Sequence, residues 1–215
     1  MRFNRIVIAC LLGLHVGIST AAEVFVSAPT LKGSVTAKSW KDLRDANVVK
    51  QDLDYSCGAA SVATIMNGFY GFEVTEETLL ETMAKDGAAS FNDMAEVVRG
   101  YGLKGVGVAL NFEQLRKLKT PAIAYLRYRD DDHFSVIRGI GTDGSVQLAD
   151  PSWGNRRFTQ QQFLNMWETR EGEALKGKML LLLPDGVDQD LINTAFFGAD
   201  EPNPLALERL VLRGF

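Results

Sequence analysis

Residues 51–70 read QDLDYSCGAASVATIMNGFY, a polar segment followed by a largely apolar one. From Cys57 to Tyr70 the apolar residues, placed on a helix, cover most of its surface. Such a helix has no polar face to turn toward water. The sequence therefore predicts a buried central helix that begins at Cys57.

Cys57 takes the first position of this predicted helix. A helix N-terminus presents unpaired N–H groups and partial positive charge, which favour thiolate over thiol and activate a cysteine as a nucleophile. A lone cysteine elsewhere is usually a small buried hydrophobe. Gln51 lies six residues earlier. Its side-chain amide can donate, with the Cys57 N–H, to the oxygen that becomes negative when a thiolate attacks a carbonyl.

Capping signals predict three shorter helices after the central one. Thr75, followed by two glutamates, is typical of a helix start. Ser90 and Asp93 resemble a capping box for a helix that ends near Gly100. Asn111 can cap a short fourth helix. The first half of the chain is therefore predicted to be mainly helical.

After Pro121 the pattern changes to short apolar runs that are typical of strands. The predicted strands cover residues 122–126, 133–137, 145–149 and 179–183, with a helix at residues 159–167 and a turn at residues 141–144. Helices first and antiparallel strands second predict an α+β domain.

His133 opens the second predicted strand, and Asp150 closes the third, just before Pro151. The charged residues 129–132 precede His133, so this histidine is expected at a strand end near solvent. A single surface histidine usually has no function, and an Asp-Pro pair is more often a turn former. Neither residue is a strong signal alone.

The hairpin between these two strands decides whether His133 and Asp150 can meet. If Gly141 pairs with Gly144, Asp150 lies opposite Ser135, on the face of His133 and diagonally next to it, where its carboxylate can orient the imidazole. A tighter two-residue turn would move Asp150 too far along the strand. The sequence leaves both turns open.

Composition indicates one ordinary domain and excludes some partners. With 215 residues, of which 46% are apolar, the chain can bury one full hydrophobic core. Its formal charge is −4, and it has no long run of Lys and Arg. Nucleic-acid binding is therefore not expected.

Residues 1–22 carry two arginines, then a short apolar stretch and small residues, which is typical of a secretory signal peptide. The apolar stretch is shorter than the roughly 20 residues that a retained membrane span needs. The segment is therefore expected to be cleaved, and no integral membrane span is expected in the mature chain. The mature chain is expected in the periplasm. It would carry 21 Lys and Arg against 27 Asp and Glu, a charge of −6, with Cys57 and His133 as its single Cys and His. These two residues allow no intramolecular disulfide and no four-ligand zinc or iron–sulfur site.

Three motifs together resemble the bacteriocin-processing double-glycine leader peptidases, which are papain-like cysteine peptidases. The motifs are QDLDYSCGAA at residues 51–60, HFSVI at residues 133–137 and DPSWG at residues 150–154, and the resemblance covers about residues 48–184. It implies a papain-like fold with Cys57 as nucleophile, His133 as general base and then acid, Asp150 as the group that holds His133, and Gln51 as oxyanion donor. No cofactor is needed for this chemistry. The resemblance also implies cleavage after a Gly-Gly pair, as in typical members of the family.

Two features differ from typical members, which form the cytoplasmic N-terminal domain of an export transporter. This chain has a predicted signal peptide at residues 1–22 and no transporter. It also has a lead-in at residues 23–47 and, beyond the peptidase domain at residues 48–184, a tail at residues 185–215 with an amphipathic run from Leu205 to Leu212. Freestanding, exported relatives occur in bacterial secretion systems for functional amyloid, and the size and layout here are similar.

The predicted function is a periplasmic thiol peptidase that processes an exported protein or peptide through an acyl-enzyme on Cys57, with functional-amyloid secretion as the candidate setting. One alternative is a catalytically silent domain of the same fold that binds and docks an exported peptide. Retention of all four site residues argues against it. Another alternative is a transglutaminase or amidase with the same nucleophile, which only the resemblance disfavours.

Overall fold

The structure is a computed structural model that describes residues 22–28, 31–37, 39–84, 87–128 and 131–198. Apart from Ala22, the predicted signal peptide lies outside these residues, as does the predicted amphipathic run from Leu205 to Leu212. None of the helices in the described ranges combines the length and the apolar character that a membrane crossing requires.

The chain divides into two compact units, residues 1–39 and residues 40–215. The first unit contains an antiparallel hairpin of strands β1 (Ala22–Ala28) and β2 (Leu31–Ala37). The second unit contains the main sheet, its helices and all four predicted site residues. The following paragraphs concern this second unit.

Helices and strands of the second unit follow largely the predicted order. The helices are α1 (Trp40–Arg44), α2 (Cys57–Gly68), α3 (Glu76–Met83), α4 (Phe91–Arg99), α5 (Phe112–Leu115) and α6 (Gln160–Trp167). The strands are β3 (Leu103–Leu110), β4 (Ala122–Tyr128), β5 (Asp131–Ile140), β6 (Val146–Asp150), β7 (Gly154–Phe158) and β8 (Gly177–Pro184). Two short 3-10 helices, Gln189–Leu191 and Thr194–Phe196, come after the last strand.

The six strands form one antiparallel sheet in the order β3-β8-β4-β5-β6-β7, and both of its faces are covered. Successive side chains of a strand point to opposite faces. In β4, Ile123 packs with α2, α3 and α4, whereas its neighbours Ala122 and Ala124 pack with α5 and α6. This double burial explains why the central strands read as continuous apolar runs.

Helix α2 is the centre of the first layer, as predicted. Every residue from Cys57 to Met66 is buried, and the helix packs against β5, α3 and α4. The predicted caps are also confirmed, because the side chains of Thr75, Ser90 and Asn111 each accept a hydrogen bond from the backbone three residues later. These caps fix where α3, α4 and α5 begin.

Two strands and one α-helix of this unit were not predicted. Strand β3 contains Lys104, Gly105 and Gly107, residue types that are depleted in strands. Strand β7, with sequence GNRRF, is a polar edge strand, and α1 has no buried residue. The expectation of a mainly helical first half is therefore wrong at β3. The glycine at position 105 is needed in this strand because α4 packs closely against it.

The turn between β5 and β6 keeps one hydrogen bond of the predicted Gly141–Gly144 pairing, from the Gly144 N–H to the Gly141 carbonyl over 2.9 Å, but differs in the other. The Gly141 N–H donates to the Ser145 carbonyl over 2.7 Å, which leaves a loop of residues 142–144. Gly144 has φ +79°, a conformation that glycine adopts without strain. The turn is thus one residue longer than the Gly141–Gly144 pairing.

A bulge at Arg138 compensates for this longer turn. The register shifts between Ile137 and Gly139, so that Val136 lies opposite Ala149. Continued by one residue, this register places Asp150 opposite Ser135. The predicted placement of Asp150 is therefore correct, although it results from the bulge and not from the predicted turn.

Two glycines of β3 provide a matched test of the packing between sheet and helix. A Cβ added at Gly105 would lie 2.5 Å from the Cβ of Ala95 in α4, whereas one added at Gly107 would meet nothing within 4 Å. We expect Gly105→Ala to lower the free energy of unfolding by about 1–3 kcal/mol, because the helix must move away. Gly107→Ala should leave it within about 0.5 kcal/mol. Urea denaturation measures both, and equal effects would contradict this packing.

Candidate active site

The N-terminus of α2 is left open around Cys57. Ser56 precedes the helix, but its hydroxyl donates to the Leu53 carbonyl over 2.7 Å and does not cap the helix. The first intrahelical bond runs from the Ala60 N–H to the Ser56 carbonyl. The N–H groups of the first turn therefore have no partner within the helix, and they surround a thiol that forms no disulfide.

His133 and Asp150 are hydrogen-bonded. Nε2 of His133 lies 2.9 Å from Oδ2 of Asp150, and the two side chains are only 16% and 2% exposed. The other carboxylate oxygen of Asp150 accepts from the backbone N–H groups of Ser152 and Trp153, each over 2.9 Å. Because Nε2 is engaged, Nδ1 is the ring nitrogen available to Cys57.

The charges of this pair favour an ionised site at neutral pH. Burial lowers the pKa of His133, but hydrogen bonds with Asp150 and with the Cys57 side chain outweigh it and raise the pKa to about 9. Burial acts to raise the pKa of Asp150, but the hydrogen bond and charge of His133 outweigh it and hold that pKa below its usual range. Near pH 7 the pair is therefore an imidazolium and a carboxylate.

Gln51 is tied to the segment that follows Asp150. Its backbone N–H donates to the Pro151 carbonyl over 3.1 Å, and its side-chain oxygen accepts from the Ser152 hydroxyl over 2.7 Å. Its amide nitrogen donates to the Leu53 carbonyl over 2.9 Å and, over a longer 3.5 Å, to the Asp54 carbonyl. The structure thus brings Gln51 to the same site, while its role as an oxyanion donor stays a prediction.

Glu76 is a site residue that sequence reasoning missed. It is only 6% exposed, and its carboxylate accepts from the Asp52 N–H over 3.0 Å, which anchors the loop that leads to Cys57. The sequence indicated only that Glu76 suits the first turn of α3. Its long-range contact with the loop had no local signal.

Trp153 is a second residue that was not singled out. Its ring lies 5.9 Å from the His133 ring and 5.1 Å from the Tyr128 ring, measured between centroids, and the guanidinium of Arg156 stacks over it at 5.1 Å. The indole therefore covers one side of the imidazole. Its place in the DPSWG motif was the only available signal.

A groove of about 680 Å³ lies beside the loop that precedes Cys57. The loop contributes Asp52, Leu53 and Tyr55, and α3 contributes Leu80 and several acidic residues. Leu53 and Tyr55 are 43% and 38% exposed, so both present apolar surface at the groove. The groove offers a surface along which a peptide chain can lie.

Sequence comparison finds one matching family and two similar proteins that share one name. The Peptidase C39 family matches residues 45–171. The chain is 30% identical over 207 residues to the Probable functional amyloid protease FapD of Pseudomonas fluorescens, a match that covers 91% of this chain and 85% of that protein. It is 32% identical over 139 residues to the protein of the same name from Pseudomonas aeruginosa, covering 60% of this chain and 61% of the relative.

Structural comparison finds the same fold. A double glycine motif protease from an AMS/PCAT transporter, crystallised in complex with the leader peptide, matches with a TM-score of 0.53 and 25% identity, over 64% of this chain and 90% of that one. The peptidase domain of Streptococcus ComA matches with a TM-score of 0.54 and 18% identity, over 64% of this chain and 97% of the domain. The predicted α+β, papain-like fold is thereby confirmed.

The raised pKa of His133 can be measured by NMR titration of its ring protons, identified by their loss in His133→Gln. We expect a midpoint near 9 in the native protein, since the imidazolium is stabilised by its two partners. In Asp150→Asn the midpoint should fall, because burial continues to disfavour the charged ring while one anion is lost. A native midpoint near the ordinary 6.5 would contradict the ionised pair.

Proposed function

The chain belongs to the Peptidase C39 family and is a cysteine peptidase, and we propose that Cys57, His133 and Asp150 form its catalytic triad. The observation that carries this proposal is the buried hydrogen bond between His133 and Asp150 at 2.9 Å, beside a cysteine at an open helix N-terminus. A thiolate there has both a proton donor and a positive helix end next to it.

The first half of the reaction forms an acyl-enzyme. The Cys57 thiolate attacks the carbonyl carbon of the scissile peptide bond, and the oxyanion accepts hydrogen bonds from the Cys57 N–H and from the Gln51 amide, which exchanges its 3.5 Å contact with the Asp54 carbonyl for the oxyanion. The His133 imidazolium gives its proton to the leaving nitrogen, the C–N bond breaks, and the amine departs. Cys57 is then a thioester and His133 is neutral.

The second half releases the acyl group. Neutral His133 takes a proton from a water molecule, whose oxygen attacks the thioester carbonyl. The C–S bond breaks, the carboxylic acid product leaves, and the thiolate and imidazolium return. Throughout, Asp150 accepts the hydrogen bond from Nε2 and so keeps Nδ1 turned toward Cys57.

We infer that the substrate is an exported protein or peptide, cut by an endopeptidase in the periplasm, and that the setting is functional-amyloid secretion. The relatives named functional amyloid protease support this setting, and the predicted signal peptide supports the compartment. The leader peptide bound to the similar transporter protease and the groove beside residues 52–55, in the loop that precedes Cys57, support a peptide substrate.

Alkylation of Cys57 by iodoacetamide across pH, read by peptide mass spectrometry, tests this triad. The wild type should react rapidly near pH 7, and His133→Ala should slow the reaction at least tenfold, because the thiolate loses its ion-pair partner. Asp150→Ala should slow it less, since it acts on His133. Peptide mapping separates Cys57 from Cys10, and Cys57→Ala provides the blank.

A slow reaction with the profile of an ordinary thiol, unchanged in both variants, would refute the triad and favour the docking domain. The same choice can be made in cells. A Cys57→Ala protein that still supports fibre secretion would indicate docking, whereas a complete loss of processing would indicate catalysis.

A further inference from the structure

Residues 193–198 have no part in the mechanism above and lie beyond the family match, which ends at residue 171. They contain the 3-10 helix Thr194–Phe196 and pack against the end of α2 that is farthest from Cys57. We call these residues the clamp, because they contact two elements that carry the site.

The clamp holds the C-terminus of α2. The Asn193 N–H donates to the Phe69 carbonyl over 2.8 Å, and the Asn193 side-chain amide donates to the Gly68 carbonyl over 3.1 Å. Carbonyls at a helix C-terminus have no partner within the helix, so the clamp supplies one. Phe196 packs so closely on Gly68 that a Cβ added to this glycine would lie 2.2 Å from the ring. Only 3% of Phe196 is exposed, and the contact is part of the core.

The clamp also holds the bulge of β5. The Gly198 N–H donates to the Arg138 carbonyl over 2.8 Å, and the Arg138 guanidinium lies 5.1 Å from the centre of the Phe196 ring. Arg138 also donates to the side-chain oxygen of Asn155 in β7 over 2.9 Å. This bulge sets the register that brings Asp150 to the site.

We propose that the clamp is a positioning segment, which fixes the helix that carries Cys57 relative to the strands that carry His133 and Asp150. This inference rests on the proposed triad. Phe196 is the central residue of the clamp, since its ring contacts both the end of α2 and the bulge of β5. A tilt of the helix against the sheet must therefore break contacts of the clamp.

The rigidity of α2 explains how contacts at one end affect the nucleophile at the other. The twelve residues of the helix span about 18 Å, and the helix packs against β5. If it pivots on this contact, a displacement at Gly68 produces a similar displacement of Cys57 in the opposite direction. A shift of about 1 Å at a reacting group can slow an enzyme about a hundredfold. Small movements at the clamp are therefore expected to alter the pairing of Cys57 with His133.

The first test adds one methyl group at the contact, with Gly68→Ala. Its control is Gly100→Ala, which makes the same change at the C-cap of α4, where the nearest atom to an added Cβ lies at an ordinary 3.6 Å. The pH of half-maximal Cys57 alkylation by iodoacetamide should rise by at least about 0.5 unit in Gly68→Ala, because the displaced thiolate is less stabilised by the imidazolium. Gly100→Ala should leave this pH unchanged.

The second test opens the clamp from the other side, with Phe196→Ala. Its control is Phe163→Ala, which truncates a similarly buried phenylalanine of α6 on the opposite face of the sheet. Both variants should have a lower thermal midpoint, since each leaves a cavity in a core. Only Phe196→Ala should raise the pH of half-maximal alkylation, by a similar 0.5 unit or about that. If Phe196→Ala does not fold, Phe196→Leu is measured in its place, and if neither folds, Gly68→Ala decides alone.

The possible failures can be told apart. An activated wild-type profile that either test variant leaves unchanged would overturn the role of the clamp and leave the triad intact. An upward shift of equal size in Gly100→Ala or Phe163→Ala would also overturn it, because the effect would then follow from a change of stability alone. An ordinary wild-type thiol profile would overturn both proposals together.

Discussion

The burial of α2 is the constraint on which the rest of the structure depends. All residues from Cys57 to Met66 are buried, so the helix must be covered by the sheet on one side and by α3 and α4 on the others. Its N-terminus then emerges where β5 begins and β6 ends, and this places Cys57 next to His133 and Asp150. The same apolar packing that stabilises the core therefore sets the geometry of the site.

Around that helix end, several features are unfavourable for stability alone. Ser56 does not cap the helix, Asp150 is almost fully buried, and the ammonium of Lys50 finds no hydrogen-bond partner in the described part of the chain. Hydrogen bonds that join residues 51–52 with Pro151, Ser152 and Glu76 hold the surrounding loop in place. Proteins break the usual rules of helix capping and of polar-group pairing mainly at functional sites. Here these exceptions lie within one small region.

Much of this could be predicted from the sequence, and the rest was non-local. The helix at Cys57 and the capping residues were predicted because periodicity and caps are local signals. Strand β3 was missed because glycine is rare in strands and is explained at Gly105 only by the close contact with α4. The bulge at Arg138 was missed because it depends on how two strands pair. Glu76 binds the backbone of Asp52, which only the fold brings near, so no local pattern marks it.

The electrostatics of the His133–Asp150 pair favour the proposed catalytic site over a docking site on the same fold. A domain that only binds peptides needs a groove, which this chain has beside residues 52–55, but it has no use for an imidazole whose pKa is raised to about 9 by a buried carboxylate and a cysteine. Holding that carboxylate ionised in the interior takes three hydrogen-bond donors, from His133 and the backbone of Ser152 and Trp153. Such an arrangement is what the proposed mechanism needs, in which a proton moves between Cys57, His133 and a leaving group.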